Sequence, residues 1–329
     1  MGVSPRSGAG VKIALVALLV AMAAPAVAQE THLVVITGVS GDPEHSEKFH
    51  RWATTLIETA RRQDGVAERN IIYLAEKTEV DPRLVHDRST RANVEKAFAD
   101  LAARVEPKDE VFVILFGHGS FDGTKATFNL PGPDLTAEEW GKLLDRLSSQ
   151  RVAFIDTASA SGAFLKPLAG PGRAIVTATK TGGERNETEF PQYFVEAFTT
   201  EAADRNRDGR VSVGEAFEYA RNKVTQAYQQ NGLLLTEHAA LEDGHEGGFA
   251  ATMFLQSPRA RAAAAAASTN DPALRALLEQ KQALEDEVAA LKLRKPTMDA
   301  AEYDRTLEKL LTELALKTRA IQQLEGKKP

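Results

Sequence analysis

The stretch Glu110-Val-Phe-Val-Ile-Leu-Phe116 is followed by Gly117-His118-Gly119, and Arg151-Val-Ala-Phe-Ile155 is followed by Asp156-Thr-Ala-Ser-Ala-Ser-Gly162. Short, nearly continuous apolar runs of this kind are typical of strands that are buried on both faces. Similar runs cover residues 32–37, 70–74 and 173–178, and helical patterns lie between them at 44–62, 91–105, 136–147 and 189–199. This alternation predicts an α/β fold with a mostly parallel sheet, helices on both sides and right-handed crossovers.

Two candidate functional loops come directly after strands of this predicted sheet. His118 follows the third apolar run and Ser159 follows the fourth. In open parallel sheets ligands bind at the carboxyl ends of the strands, so we expect both side chains at one edge. A Gly-His-Gly turn alone is a weak signal, and an Ala/Ser-rich turn is an ordinary helix N-cap. Their occurrence in order, at matching strand ends, predicts a site.

The two loops resemble the paired active-site loops of the caspase-hemoglobinase group of cysteine peptidases, legumain-like branch. In that group a His-Gly closes one strand and an Asp/Glu-x-Cys-x-Ser-Gly closes the next. The resemblance covers residues 31–250 and includes the Gly38-x-x-Gly41 turn. It implies a three-layer sandwich in which His118 is the general base or acid. It also implies that the backbone amides of Gly119 and Ser159 hold the oxyanion.

The chain departs from this family pattern because it contains no cysteine, and Ser159 occupies the place of the nucleophile. A serine hydroxyl needs an oriented base, whereas a cysteine supplies some thiolate unaided. The family's asparagine and arginine positions hold Glu44 and Ser46 here, so asparaginyl specificity is not implied. Asp156 or Glu44 could orient His118.

Three functions remain open from the sequence. We expect a degenerate peptidase that serves as a binding or assembly module, with a peptide or protein partner in its cleft. The first alternative is an active peptidase or esterase that uses Ser159 with His118. The second is a calcium-stabilised spacer that presents a coiled coil.

Residues 204–215 match the twelve-residue EF-hand loop in the order of their ligands. Gly209 is at the position that requires a sharp turn, and Glu215 is at the terminal position, where a carboxylate binds bidentately. The pattern predicts a structural Ca²⁺ site whose ligands come from Asp204, Asn206, Asp208, Arg210, Ser212 and Glu215. The alternative is a polar turn in which Glu215 only caps the following helix.

The first 28 residues have the layout of a secretory signal peptide, with Arg6 and Lys12 ahead of an apolar run and Ala26-Val-Ala28 at its end. We expect a mature protein that begins at Gln29, is periplasmic or secreted, and has no membrane span. Removal of residues 1–28 takes away two basic residues and no acidic ones. The mature chain then has 38 Lys and Arg residues, 46 Asp and Glu residues and a net charge of −8. That charge argues against nucleic acid as the partner.

The chain ends in a helical region that is separate in composition from the rest. Residues 29–257 are predicted to form the caspase-like and legumain-like domain, and 258–270 an Ala-rich linker. Residues 271–329 contain two apolar stripes that are interrupted at Pro296, which predicts a helical hairpin or coiled coil. We expect this tail to self-associate or to bind an envelope protein.

Overall fold

The computed structural model describes residues 29–149, 151–244, 248–256, 260, 269, 271–295 and 298–325. In this part of the chain the strands are β1 Thr31–Thr37, β2 Ile71–Ala75, β3 Asp87–Arg88, β4 Glu110–Phe116, β5 Gly119–Phe121, β6 Ala126–Phe128, β7 Leu135–Thr136, β8 Arg151–Asp156, β9 Arg173–Thr177 and β10 Ala240–Asp243. The α-helices before residue 231 are α1 Pro43–Arg62, α2 Arg91–Ala102, α3 Ala137–Leu144, α4 Leu165–Leu168, α5 Phe190–Ala197 and α6 Val213–Gln230. Two longer helices follow, which we name the first tail helix, Pro272–Arg294, and the second tail helix, Ala300–Glu325.

Seven strands form one sheet in the spatial order β10-β9-β8-β4-β1-β2-β3. Every neighbouring pair is parallel except β10 and β9. β4 lies between β1 and β8, and all seven of its residues are buried. Its unbroken apolar sequence is explained by this central position, because helices cover both of its faces. β5, β6 and β7 form a separate antiparallel sheet.

The two faces of the large sheet contribute to two separate apolar cores. On one face Leu33 and Val35 of β1 pack with residues of α1, α5 and α6. On the other face Val34 and Ile36 pack with residues of α2 and α3, where Trp140 is fully buried. Successive side chains of a strand point to opposite faces, so β1 supplies both cores. The result is a three-layer α/β arrangement with the sheet in the middle.

Helices α1 and α3 begin at residues whose side chains cap them. The Asp42 carboxylate accepts from the backbone N–H of His45 at 2.9 Å, and Pro43 occupies the first turn of α1. Thr136 and Glu139 form a capping box at the start of α3. Each cap satisfies N–H groups that the first turn of a helix leaves without an intrahelical partner.

The predicted mostly parallel α/β sheet is confirmed, and its five predicted strands are present within one residue of their expected bounds. The helices predicted at 91–105, 136–147 and 189–199 end two or three residues earlier than expected. The sequence does not predict β3, β10 or the three-stranded sheet. These strands are two to four residues long, too short for an apolar pattern of their own.

The two tail helices share an apolar cluster of their own. Leu284, Val288 and Leu291 of the first tail helix pack with Tyr303 and Leu310 of the second. The predicted signal peptide, residues 1–28, lies outside the described residues, as does most of the predicted linker at 258–270. Among the described residues, no helix combines the length and apolarity that a membrane crossing requires.

Candidate functional site

His118 and Ser159 lie at the carboxyl edge of the sheet, on loops that follow the neighbouring strands β4 and β8. The register pairs Leu115 with Asp156, so the two loops leave the sheet side by side. The Ser159 hydroxyl donates a hydrogen bond to the carbonyl of Gly119 over 3.3 Å. The structure therefore brings together the three residues that the sequence singles out as catalytic.

The loops pack so closely that glycine is required at two positions. A Cβ atom at Gly119 would stand 2.3 Å from the carbonyl oxygen of Ser159. A Cβ atom at Gly162 would stand 2.2 Å from the carbonyl carbon of Lys180, in the segment after β9. Both distances are far inside van der Waals contact, so any larger residue would force backbone to move.

The ring of His118 is oriented by a backbone carbonyl. Its Nε2 lies 3.2 Å from the carbonyl oxygen of Ser40. Because a carbonyl only accepts, Nε2 donates, and Nδ1 is the basic nitrogen of the neutral ring. Glu76 holds Ser40 in turn, accepting from its N–H at 3.1 Å and from its hydroxyl at 2.6 Å. The carboxylates of Asp156 and Glu44, the orienting groups suggested by the sequence, bond to Ala158 and Lys48 instead.

A second histidine, His45, packs edge-on against His118 with ring centroids 5.0 Å apart. Its Nδ1 is 2.7 Å from the Asp42 carboxylate, and its Nε2 is 3.1 Å from the Glu187 carboxylate. The bond to Asp42 and the negative charge of Glu187 raise the pKa of His45 against the effect of burial. His45 therefore lies between two carboxylates and links α1 to the segment that follows β9.

The turn that carries Ser159 includes a residue in the left-handed region. Ala160 has a φ of 58°, and its N–H donates to the Glu184 carbonyl at 2.7 Å. The hydroxyl of Thr179 accepts from the N–H of Gly162 at 2.8 Å, which holds the other end of the turn. Among the described residues, no group accepts from the N–H of Ser159 itself. An oxyanion at this position would therefore not have to displace a protein acceptor from that amide.

Asp156 is a buried acid at the end of β8, with only 1% of its surface exposed. Its Oδ1 accepts from the N–H of Ala158 at 3.0 Å. Burial raises the pKa of Asp156 to about 7, because the single hydrogen bond offsets only part of the cost of placing a charge there. The carboxyl is therefore partly protonated near neutral pH.

The loops enclose a crevice with a volume of about 10 Å³, enough for about one water molecule. The segment after β9 crosses it: Glu187 lies 3.4 Å from Lys48, and the Thr188 hydroxyl donates to the Thr157 carbonyl at 2.7 Å. This crevice is smaller than a peptide side chain, so a peptide would bind only after the segment that follows β9 moves away. It is lined by Phe49, Trp52, Gly117, His118, Thr157, Ser159, Glu187, Thr188 and Pro191.

The first half of the 204–215 loop is closed by hydrogen bonds to its own amides. The Asp204 carboxylate accepts from the N–H of Asp208 at 3.1 Å and from the N–H of Gly209 at 2.8 Å. Asn206 Oδ1 accepts from the same Asp208 N–H at 2.8 Å. Gly209 has a φ of 82°, which explains why glycine occupies this position.

The second half of the loop is held by Glu215. One carboxylate oxygen accepts from the N–H groups of Arg205 and Asn206, and the other accepts from the N–H and the hydroxyl of Ser212. Ser212 and Glu215 also form the capping box of α6. Within the described residues, no three acidic or histidine side chains lie close enough together to hold a metal ion. The carboxylates are directed at amides of the loop instead of at one another.

Arg210 connects this loop to the edge of the sheet opposite His118. Its guanidinium lies over the ring of Phe254, 3.7 Å from the centroid. Burial raises the pKa of Glu110, the first residue of β4, and the charges of Arg151 and Arg210 oppose that shift. His118 follows the other end of the same strand. A strand of this length separates the two edges by about 20 Å. An ion in the loop is therefore too far from His118 to join its chemistry.

Sequence reasoning missed four residues around His118. A signal existed for two of them: Ser40 lies in the Gly38-x-x-Gly41 turn, and Glu76 follows β2 at the same carboxyl edge. His45 lies in the first turn of α1 and Glu187 in a polar segment, where no local pattern marks a functional residue.

No family model matches this chain, and no curated protein matches it. Among solved structures, the chain is similar to protein GSU0716 from Geobacter sulfurreducens, at 13% sequence identity and a TM-score of 0.42. The similarity covers 65% of this chain and 92% of that chain. The proposed function therefore rests on the sequence motifs and on the geometry of the site.

Proposed function

We propose that this protein is a catalytically silent relative of the legumain-like cysteine peptidases, with a caspase-like sandwich, which serves as a binding or assembly module. One observation carries the proposal. The Ser159 hydroxyl donates to Gly119, and Nε2 of His118 bonds to Ser40, so no hydrogen bond joins nucleophile and base among the described residues. A serine becomes a nucleophile when a base accepts its proton within about 2.6–3.2 Å, and neither of these two hydrogen bonds provides that contact.

The nucleophile has been lost in this proposal, whereas the oxyanion site is retained. The N–H of Ser159 has no acceptor among the described residues, and substitution of a side chain leaves a backbone amide in place. A thiol at position 159 would need less help from His118 than a hydroxyl does, because part of it ionises unaided. We therefore expect the Ser159→Cys variant to regain a measurable hydrolytic activity.

The test compares wild type, Ser159→Ala and Ser159→Cys on a broad peptide library. Because the chain has no other cysteine, Ser159→Cys carries a single thiol. Ser120→Cys is the matched control, since it places a thiol at an exposed position of the same His-Gly loop. We expect turnover only in Ser159→Cys.

Wild-type turnover that disappears in Ser159→Ala would instead establish an active Ser159–His118 peptidase or esterase. Equal activity in Ser159→Cys and Ser120→Cys would show that the thiol acts without the site. If no variant turns over any peptide, the result agrees with an inactive protein but contradicts the proposal of an intact oxyanion site.

We also propose that the 204–215 loop binds Ca²⁺ as a structural ion. The support is the donor set. Side-chain oxygens come from Asp204, Asn206, Asp208, Ser212 and Glu215, Arg210 offers its backbone carbonyl, and hard oxygen donors suit this ion. Binding would redirect the Asp204, Asp208 and Glu215 carboxylates from loop amides to the ion. The loop lies at the edge opposite His118, so the ion would stabilise the fold without taking part in hydrolysis.

Calcium at about 100 times its dissociation constant should raise the melting temperature by roughly 5–10 °C, because an ion that binds only the folded state stabilises it. Glu215→Gln should abolish this response. Glu218→Gln, the same change one turn later in α6, should retain it. Identical melting curves with calcium and with chelator would favour the polar turn capped by Glu215.

We further propose that the protein is exported to the periplasm or secreted and that its tail is a helical hairpin used for assembly. The layout of residues 1–28 supports export, and the apolar cluster between the tail helices supports a hairpin. Mass spectrometry of the extracytoplasmic protein should find Gln29 at its amino terminus. A mature fraction that still begins at Met1 would contradict export by cleavage.

A further inference from the structure

One face of the second tail helix is exposed to solvent although it carries large apolar side chains. Leu311 and Leu316 are 46% and 61% exposed. The opposite side of the helix, with Tyr303 and Leu310, packs on the first tail helix. The exposed face, which we name the free groove, consists of side chains of this one helix and includes Asp304, Glu308, Leu311, Thr312, Leu316 and Arg319.

The free groove has opposite charges at its two ends. Asp304 and Glu308 lie towards the start of the helix, and Arg319 lies towards its end. All three are exposed, and no ion-pair partner for them is present among the described residues. At the centre, the Thr312 hydroxyl donates to the Glu308 carbonyl at 2.8 Å, so burial would leave no unpaired donor there.

We propose that the free groove binds the same groove of a second copy of this chain, with the two helices antiparallel. A two-fold axis between Leu311 and Thr312 brings Asp304 opposite Arg319 of the other copy at each end. Asp304 is seven positions before Leu311 and Arg319 is seven positions after Thr312, so one symmetry operation forms both ion pairs.

The same axis also pairs the apolar side chains of the groove. Leu311 comes opposite Thr312 of the other copy, so the two Leu311 side chains lie on either side of the axis, one position apart. A parallel arrangement would instead place Asp304 against Asp304 and Arg319 against Arg319, which is repulsive. The charges of the free groove therefore favour an antiparallel second copy.

This inference deepens the assembly role proposed for the tail, and it does not depend on the catalytic state of Ser159. The free groove spans residues 304–319 of the second tail helix, or about 24 Å, so an antiparallel partner helix can cover its full length. One helix face is smaller than a standard protein interface, so the dimer should be weak, with a dissociation constant in the range of roughly 1–100 µM.

The test is sedimentation equilibrium of the full chain over this concentration range at low salt. Arg319→Glu should weaken the dimer by roughly tenfold, because both symmetric ion pairs become repulsive contacts. Asp304→Lys should do the same, and the two changes together should restore the wild-type constant. Lys309→Glu is the matched control, because Lys309 is exposed on the same helix but does not line the groove.

Leu311→Asp should leave only monomer, since it places two carboxylates at the axis. A wild-type chain that is monomeric at about 100 µM would overturn the proposal. A dimer that persists in Leu311→Asp would show that another surface is used. If Arg319→Glu and Asp304→Lys each weaken the dimer but the two changes together do not restore it, the antiparallel register is wrong. Peptidase assays of the same samples report on Ser159 separately, so each proposal can fail alone.

Discussion

Replacement of Asp156 by Asn should make the protein more stable at pH 8 and leave its stability at pH 4 nearly unchanged. The Asp156 carboxyl is buried at the end of β8, and Ala158 N–H donates to it at 3.0 Å. An asparagine has nearly the same shape and keeps an oxygen for that hydrogen bond. It carries no charge at any pH, so the cost of ionising a buried group disappears.

The magnitude follows from the pKa of Asp156, which burial raises from 3.8 to about 7. Between these two values the folded state holds a proton that the unfolded chain has released, so the free energy of unfolding falls as the pH rises. The stability that this retained proton contributes is complete at pH values below the pKa of Asp156 in the unfolded chain. It is lost as the pH rises through the pKa of Asp156 in the folded protein. A difference of about 3 pH units corresponds to about 4 kcal/mol. Water that reaches the charged form would reduce this value, so it is an upper limit.

The assay is urea denaturation of wild type and Asp156→Asn between pH 4 and pH 8. The difference in unfolding free energy should be near zero at pH 4 and should grow to about 2–4 kcal/mol in favour of Asp156→Asn at pH 8. Other buried acids, such as Glu237, are common to both proteins and cancel in the difference. Asp87→Asn, at an exposed position, is the control. Parallel pH profiles, or an Asp156→Asn protein that is less stable at pH 8, would refute the reasoning.

Gly119→Ala should destabilise the fold by roughly 1–3 kcal/mol in urea denaturation, because its Cβ would stand 2.3 Å from a backbone oxygen; Gly183→Ala, with 3.5 Å to its nearest atom, should cost much less. Arg151→Met should cost roughly 3–5 kcal/mol in the same assay, since it leaves the buried Glu110 carboxylate without its partner at 2.7 Å; a neutral effect would mean that Glu110 is protonated. The pKa of His45 is raised in the folded state, so the stability that its charge contributes is complete below the unfolded pKa and is lost as the pH rises through the folded value. His45→Gln should remove this decline from the pH profile, and an unchanged profile would contradict the bridge to two carboxylates.

The large sheet could be predicted from sequence because its central strands are buried on both faces. β4 is apolar at six successive positions, and this run can be recognised without knowing which strands lie beside it. The order of the strands and the antiparallel direction of β10 could not be predicted. Residues 240–243 are only partly buried, and their direction depends on pairing with β9 across the sheet edge.

The candidate site was predicted in part for a similar reason. The positions of His118 and Ser159 follow from the ends of two apolar runs, which are local features of the chain. The orientation of the His118 ring depends on Ser40, which is 78 residues away in sequence. Such a contact forms only when β1 and β4 pair, and no local pattern encodes it.

The lack of cysteine and the ligand spacing of residues 204–215 belong to the sequence itself, because covalent identity and short-range spacing need no distant contact. The burial of Asp156 and the acceptor of the Ser159 hydroxyl were decided only by the tertiary structure. Both depend on the segments that follow β4, β8 and β9 meeting at one edge of the sheet. Chain segments that are far apart in sequence set the solvation and hydrogen bonding of these groups, and with them their chemistry.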